Sequence, residues 1–352
     1  MTRSKPVIGW DIGGAHVKAV MLDTQSQVLN VSQQACALWK GLPRLEEAIK
    51  QLLHDWQLSA DECDHVITMT GELVDLFENR AQGVQAIAET VHRYLPAARF
   101  YQATKRSGVT FTDNVTGQAE TIASMNWHAS AQCLAMALPD AAMVVVDIGS
   151  TTCDLTRCQQ QQVLPSGWTD AERMRQSGLC YTGVVRTPLM ALGPFIEWQG
   201  AQRHIAAEYF ATTADVYRIL GELPASDDLA DTADGQGKSL LESMRRIARM
   251  VGHDVESAED NLWQSLAQAF KAAQLTLIKH SIQAVIAQGQ DRPQTLVGLG
   301  AGSFLVSQLA DELGMKYYAA STVVEAAEAS LKKDAEVCFP AYAVARLWQQ
   351  RH

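Results

Sequence analysis

The first apolar block, Val7-Ile8-Gly9-Trp10, is interrupted by Asp11-Ile12-Gly13-Gly14, and apolar residues return from Val17 to Leu22. Two short apolar runs flanking a glycine pair predict a β-hairpin over 6–23 with the glycines in its turn. The period then changes. Leu45, Ile49, Leu52, Leu53 and Trp56 recur at helical spacing and predict a helix over 42–56. A strand over 65–69 ends at Thr70-Gly71-Glu72, and 73–77 and 84–94 carry helical patterns. Strands alternating with helices indicate a layered α/β domain.

The second half restarts the pattern. Met143-Val144-Val145-Val146 reads as a buried strand opening into Asp147-Ile148-Gly149-Ser150-Thr151-Thr152 and continuing through Asp154-Leu155. What repeats is strand, Asp-Ile-Gly, strand, rather than extended identity, so the expectation is a structural duplication. Residues 163–252 are irregular and turn-rich, with Pro165-Ser166-Gly167 and a polar run over 226–238, and predict an insertion lining a cleft. Helical periodicity over 258–288 precedes a strand over 294–297, the loop Gly298-Leu299-Gly300-Ala301-Gly302-Ser303 and a helix over 304–313. Helices over 322–331 and 342–350 flank Phe339-Pro340. The expected domains are 1–140 and 141–352, the second carrying the insertion around 163–252 and a last helix that packs back on the first.

A length of 352 residues suits two domains sharing a cleft, and 47% hydrophobic with 19% charged residues excludes a disordered or fibrous chain. The formal net charge of −10 opposes nucleic acid and anionic membrane as partners. Anions must therefore be held by local backbone and metal chemistry. The polar opening Met-Thr-Arg-Ser-Lys-Pro, and the lack of any run near ~18 apolar residues, set the expectation of a cytoplasmic protein. Seven cysteines without a CxxC pair read as reduced thiols.

The chemistry is concentrated in loops. Asp11 ends a strand before Gly13 and Gly14, which let backbone amides approach an oxyanion, and Lys18 follows on the next strand. Asp147, Gly149, Ser150, Thr151 and Thr152 repeat the arrangement with three hydroxyls for phosphate oxygens, and Asp147 is suited to a hydrated magnesium ion. Gly298, Gly300 and Gly302 are spaced G-x-G-x-G, unlike a dinucleotide fingerprint, yet with Ser303 they form an anion- or nucleoside-contacting turn at a helix start. His253-Asp254 reads as a loop or helix end, and the dispersed tryptophans as packing.

These loops resemble the phosphate-1, phosphate-2 and adenosine motifs of the actin, heat-shock chaperone and sugar-kinase ATPases. That resemblance implies an α/β fold of duplicated ribonuclease H-like (actin/sugar-kinase ATPase) domains around a central cleft, with Asp11 and Asp147 as metal anchors. His16 stands where many kinases of that superfamily carry Ser or Thr. More narrowly, Thr70-Gly71-Glu72-Leu73-Val74-Asp75-Leu76-Phe77, Tyr181-Thr182-Gly183-Val184-Val185-Arg186-Thr187-Pro188 and 208–216 resemble the short hydantoinase A/oxoprolinase relatives. That subgroup is associated with tetrahydromethanopterin-linked one-carbon transfer and is similar to methanofuran-biosynthesis synthases.

The resemblance implies a cytoplasmic transferase that joins an aminomethylfuran diphosphate to the phenol of a γ-glutamyl tyramine or tyrosine unit and expels pyrophosphate. Mg2+ is the implied cofactor, with ATP left open. Glu72, Asp75 and Glu120 are candidate bases. Glu72 ranks first, though it equally suits a carboxylate complementing a helix N-terminus. Arg80 and Arg186 either contact diphosphate or form ion pairs. The alternatives are an ATP-dependent kinase or hydantoinase/oxoprolinase-like ATPase, and a non-catalytic nucleotide-sensing scaffold; a homodimer also stays open.

Overall fold

A computed structural model describes residues 5–105 and 108–352. The glycine-turn hairpin forms β1 (Val7–Ile12) and β2 (His16–Leu22), followed by β3 (Val28–Ala35) and α1 (Pro43–Asp55). Then come β4 (Asp64–Met69), α2 (Arg80–Tyr94), β5 (Arg99–Thr104), β6 (Gly108–Thr112), α3 (Ala119–Ile122) and α4 (Asn126–Ala137). The second half runs through β7 (Met143–Ile148), β8 (Cys153–Gln159), β9 (Gln162–Leu164), α5 (Asp170–Arg175) and β10 (Leu179–Cys180). It continues with β11 (Phe195–Trp198), β12 (Ala201–His204), α6 (Thr213–Leu220), α7 (Leu240–Arg249) and α8 (Asp260–Ala287). The chain closes with β13 (Thr295–Leu299), α9 (Ser303–Leu313), β14 (Lys316–Ala319), α10 (Ala329–Val337) and α11 (Phe339–Gln349).

The sheets explain the duplication. The first has the order β3-β2-β1-β4-β5-β6 and the second β10-β8-β7-β13-β14 with β9 on β8. In each, the strand bearing the aspartate (β1, β7) lies antiparallel to its hairpin partner and parallel to the strand on its other side (β4, β13). Both aspartate strands are buried along their whole length, which accounts for their continuous apolar runs. This is the duplicated ribonuclease H-like arrangement of actin-like and sugar-kinase ATPases. Because β4 and β13 run parallel to β1 and β7, each glycine turn lies at the edge of its sheet where these strands end.

Between the sheets lies a shared core. Val7, Val20 and Val66 of the first sheet, Met143 and Val145 of the second, and residues of α4 and α11 form one buried cluster. Helix α11 packs on β1, β2 and β4. A Cβ added at Gly9 would lie 1.9 Å from the Ala341 carbonyl oxygen, so the glycine permits this close approach. The outer face of the first sheet is covered by α1 and α2, and that of the second by α6, α8 and α9.

Four details differ from the sequence expectations. Residues 73–77 are not helical: one 3-10 turn spans Gly71–Leu73, and Val74 is extended. The stretch expected as a helix over 322–331 holds a 3-10 turn, Ala320–Val323, and an extended segment bridging to β3, with α10 starting only at Ala329. β3 was hidden by its polar, half-buried sequence. The 163–252 stretch is ordered, its helices α5, α6 and α7 each opened by a capping box. Its later part has its own hydrophobic cluster with α8, so only its early part borders the cleft.

Candidate active site

Two turns of matching design face each other across a cleft of about 290 Å³. The Gly13 amide donates to the His16 carbonyl at 2.9 Å, and the Gly149 amide donates to the Thr152 carbonyl at 2.9 Å. Each turn is backed by another glycine. At Gly71 a Cβ would meet Leu38 at 2.7 Å and the Ile12 and Gly13 carbonyls at 3.2 Å; at Gly183 it would meet the Ser150 carbonyl carbon at 2.4 Å. The Thr70 amide donates to the Ile12 carbonyl, while the amides of Val184, Val185 and Arg186 donate to the Gly149 and Ser150 carbonyls. The segments around 70 and 181–188 therefore act as clamps on the two turns. Among the described residues, the amides of Gly14, Ala15, Ser150 and Thr151 make no backbone hydrogen bond. With the Ser150 and Thr151 hydroxyls they form two sets of donors suited to phosphate oxygens.

The charges are arranged asymmetrically. In register, Asp11 opposes Lys18, whereas Asp147 opposes Asp154. Burial raises the Asp11 carboxyl to about 6, against the pull of Lys18. Burial, then repulsion from Asp154, raises Asp147 to about 7. Asp154 is compensated: Arg173 donates to it at 2.7 Å, donates to the Gly178 carbonyl and stacks over the Trp127 ring at 4.2 Å. Lys18 donates to the Val337 carbonyl at 2.9 Å, tying the end of α10 to the first hairpin. Burial, then Lys18 and Arg186, lower His16 to about 4, leaving it neutral at pH 7.

A cation fits this arrangement on three counts. The Asp11 Oδ1 atom is buried with no hydrogen-bond partner. The lining carries Asp11, Asp147, Asp154 and Asp170 against three fixed cations, Lys18, Arg173 and Arg186. Hard carboxylate oxygens are the donors magnesium prefers, and it commonly binds through one or two carboxylates together with substrate phosphates. Among the described residues no group of three His, Cys, Asp or Glu forms a metal cage, so water or substrate oxygens would complete the shell.

The expected site residues fall into three groups. Asp11, Gly13, Gly14, Lys18, Gly149, Ser150, Thr151, Thr152 and Arg186 line the cleft together, Arg186 also lying 5.4 Å over the Trp39 ring. Glu72 is buried behind the wall, Asp75 and Glu120 are exposed outside it, and Arg80 pairs with Asp170 at 2.5 Å across the two halves. The third loop also stands outside the lining. Gly298 packs against Val306 and Tyr317; the Gly300 and Gly302 amides donate to the Glu336 and Ile148 carbonyls; the Ser303 hydroxyl donates to the Glu336 carboxylate. Those donors serve the fold rather than an open anion site. Asp154, Asp170, Arg173, Tyr181 and Ser124 line the cleft without having been singled out from the sequence. Asp154 had a readable signal, since it stands seven positions after Asp147, as Lys18 does after Asp11.

The sequence model of the hydantoinase/oxoprolinase family matches residues 65–332. The chain belongs to this family. The matched span includes the Gly71 and Gly183 clamps and the second turn. Over 346 residues, 98% of each chain, this hydantoinase/oxoprolinase member is 28% identical to the (4-{4-[2-(γ-L-glutamylamino)ethyl]phenoxymethyl}furan-2-yl)methanamine synthase of Methanocaldococcus jannaschii. It is 29% identical over 163 residues to the like-named synthase of Methanococcus vannielii, covering 46% of this chain and 72% of that one. Among solved structures, nucleotide-free acetone carboxylase aligns with a TM-score of 0.56 at 13% identity over 96% of this chain and 70% of that chain. Component A of Acidaminococcus fermentans (R)-2-hydroxyglutaryl-CoA dehydratase aligns at 0.50 and 9% identity over 99% of both. These two likenesses concern the fold. Among the described residues no helix is long and apolar enough to cross a membrane.

Proposed function

We propose that the protein is a transferase that forms an aryl furfuryl ether, joining an aminomethylfuran diphosphate to the phenol of a γ-glutamyl tyramine or tyrosine unit and releasing pyrophosphate. The name of the Methanocaldococcus relative, similar over 98% of both chains, describes such an ether. The observation that carries the reading is the pair of clamped turns, each with unengaged amides, flanking the two aspartates. A furfuryl carbon needs a good leaving group, and two donor sets in one cleft suit the two phosphoryl units of a diphosphate.

Each part of the chain then has a task. The amides of Gly14 and Ala15 take one phosphoryl group, and those of Ser150 and Thr151, with their hydroxyls, take the other. Asp11 and Asp147 are the residues that would hold Mg2+, which when bound would supply positive charge for the diphosphate leaving group. Arg186 at the cleft wall attracts the departing anion or an acceptor carboxylate, and Trp39 fixes its guanidinium. Arg173 prevents Asp154 from adding uncompensated charge beside Asp147.

An ATP-dependent kinase or ATPase reading requires an adenosine contact, and the third loop's amides at Gly300 and Gly302 are already engaged within the fold. Incubation of the protein with the furan diphosphate, γ-glutamyl tyramine and Mg2+ is expected to give the ether by mass spectrometry. Asp11→Asn and Asp147→Asn are expected to lower turnover by ~10² or more, the scale seen when a charge-stabilising group is removed. ATP hydrolysis without ether would sink the proposal.

A further inference from the structure

We infer that Ser124 is the residue that touches the acceptor phenol and that it passes the phenolic proton to Glu72 behind the cleft wall. The inference rests on the proposed ether-forming reaction and supplies its missing base. Ser124 lines the cleft, and its hydroxyl donates to Glu72 Oε1 at 2.7 Å. Glu72 is 1% exposed and is absent from the cleft lining, so Ser124 is its contact with the substrate space. Its second oxygen, Oε2, is buried without a partner. A buried carboxyl with one unsatisfied oxygen is costly whether ionised or protonated, and such costs are retained where a group must exchange a proton.

The backbone supports the same assignment. Ser124 joins α3 to α4 at φ 53°, the left-handed region that non-glycine residues rarely occupy. That conformation is held on one side by a bridge between Met69 and Ala123. Glu72 is fixed from behind by α2, where a Cβ on Gly83 would come within 2.5 Å of the Glu72 carbonyl oxygen. The strained serine and the buried glutamate are thus locked relative to each other, as a proton path between fixed oxygens requires. Burial raises the Glu72 carboxyl to about 7, opposed by the Ser124 hydrogen bond and Arg80 and assisted by Asp170. Tyr181, across the cleft lining, also lies within the field of Glu72. A base near neutrality is matched to a step run near neutral pH.

The proton balance is complete. As the phenol oxygen bonds to the furfuryl carbon, its proton moves to Ser124 Oγ and the serine proton moves to Glu72 Oε1. The bond between the furfuryl carbon and the diphosphate oxygen breaks, and its electron pair leaves with pyrophosphate. Glu72 later returns the proton to solvent through Ser124.

The test uses the full chain with Ser124→Ala and Glu72→Gln, each checked for folding by thermal unfolding. The parent should show an ascending limb of kcat against pH with a midpoint near 7, set by Glu72. Both variants should lose that limb and fall by ~10²–10³ in kcat, the general-base range, with KM nearly unchanged. At about pH 8, where the phenol of a γ-glutamyl nitrotyramine acceptor is largely ionised, that acceptor should restore most of the rate to both variants but not to Asp147→Asn. If the parent makes ether while both variants keep its rate and pH limb, or are not rescued by the acidic phenol, the relay is wrong and the ether reading survives. If the parent makes no ether at all, the reading of the reaction fails and takes the relay with it.

Discussion

At the residue scale, most of the chemistry depends on atoms that are absent. Gly183 has no special φ, yet a Cβ there would lie 2.4 Å from the Ser150 carbonyl carbon and 2.5 Å from the Gly149 carbonyl oxygen. Those are backbone atoms, and a rotamer change cannot relieve the clash. Gly183→Ala should therefore cost ~1–3 kcal/mol, the usual range for overpacking, and displace the second turn. Calorimetry should show pyrophosphate binding in Mg2+ weakened at least ~10-fold, since one lost hydrogen bond to a charged group already costs ~1.5–3 kcal/mol. Unchanged binding would mean the clamp is not needed to shape the turn. The string 181–188 is legible in the sequence only as a resemblance, because its role lies in a backbone contact that no spacing rule reports. Asp11 and Asp147 were legible because a carboxylate ending an apolar run before glycines has few structural excuses. Arg173 and Asp170 were not, because an ordinary capped helix carries them into the cleft.

At the element scale, the hairpins and the helices α1 and α9 follow their periodicity closely, because one face of each meets a single layer of core. Pattern reasoning failed where a segment meets several layers or touches one only at its edge. The 73–77 segment has apolar residues at helical spacing, but Leu73 and Leu76 are exposed and Val74 and Phe77 reach the core only partly buried, from a turn and an extended stretch. α11 is buried almost all round, being wedged against α4 and the first sheet. Its fit can be tested at Gly9, where a Cβ would lie 1.9 Å from the Ala341 carbonyl oxygen. Gly9→Ala should destabilise the fold by about 3 kcal/mol or more, because neither the strand nor the helix backbone has room to retreat. Urea unfolding measures this; a loss under about 0.5 kcal/mol, the size of an ordinary surface change, would mean that α11 is loosely held.

At the scale of the whole molecule, the buried titrating groups set a pH dependence of stability. Asp147 and Glu72 keep their protons to about 7, so the folded chain binds more protons than the unfolded chain above the ordinary carboxylate range. Stability therefore falls as these groups ionise. His16, His65 and His128, each lowered to about 4 by burial, act in the opposite direction up to their ordinary value of 6.5. The two sets oppose each other, and because the unfolded chain's histidines are still part-protonated up to about pH 7.5 they nearly cancel near neutrality, so the carboxyl contribution is read by comparison with a variant. Urea unfolding in chelator should show the stability of the parent relative to Asp147→Asn falling by on the order of 2 kcal/mol between pH 5 and 7, since one pKa unit is worth ~1.4 kcal/mol per group. Mg2+ with pyrophosphate should offset that loss by binding the ionised form. A difference between parent and variant that stays flat or rises over pH 5–7 would contradict the burial of Asp147.

The central claim is that the two aspartate turns hold a diphosphate that leaves from carbon. It is tested most directly by placing 18O at the oxygen bridging the furfuryl carbon and the diphosphate, then following both products by mass spectrometry in Mg2+ without ATP. The account predicts ether and pyrophosphate in equal amounts, with all of the label in the pyrophosphate. Label retained in the ether, or ether formed only when ATP is supplied, would contradict it.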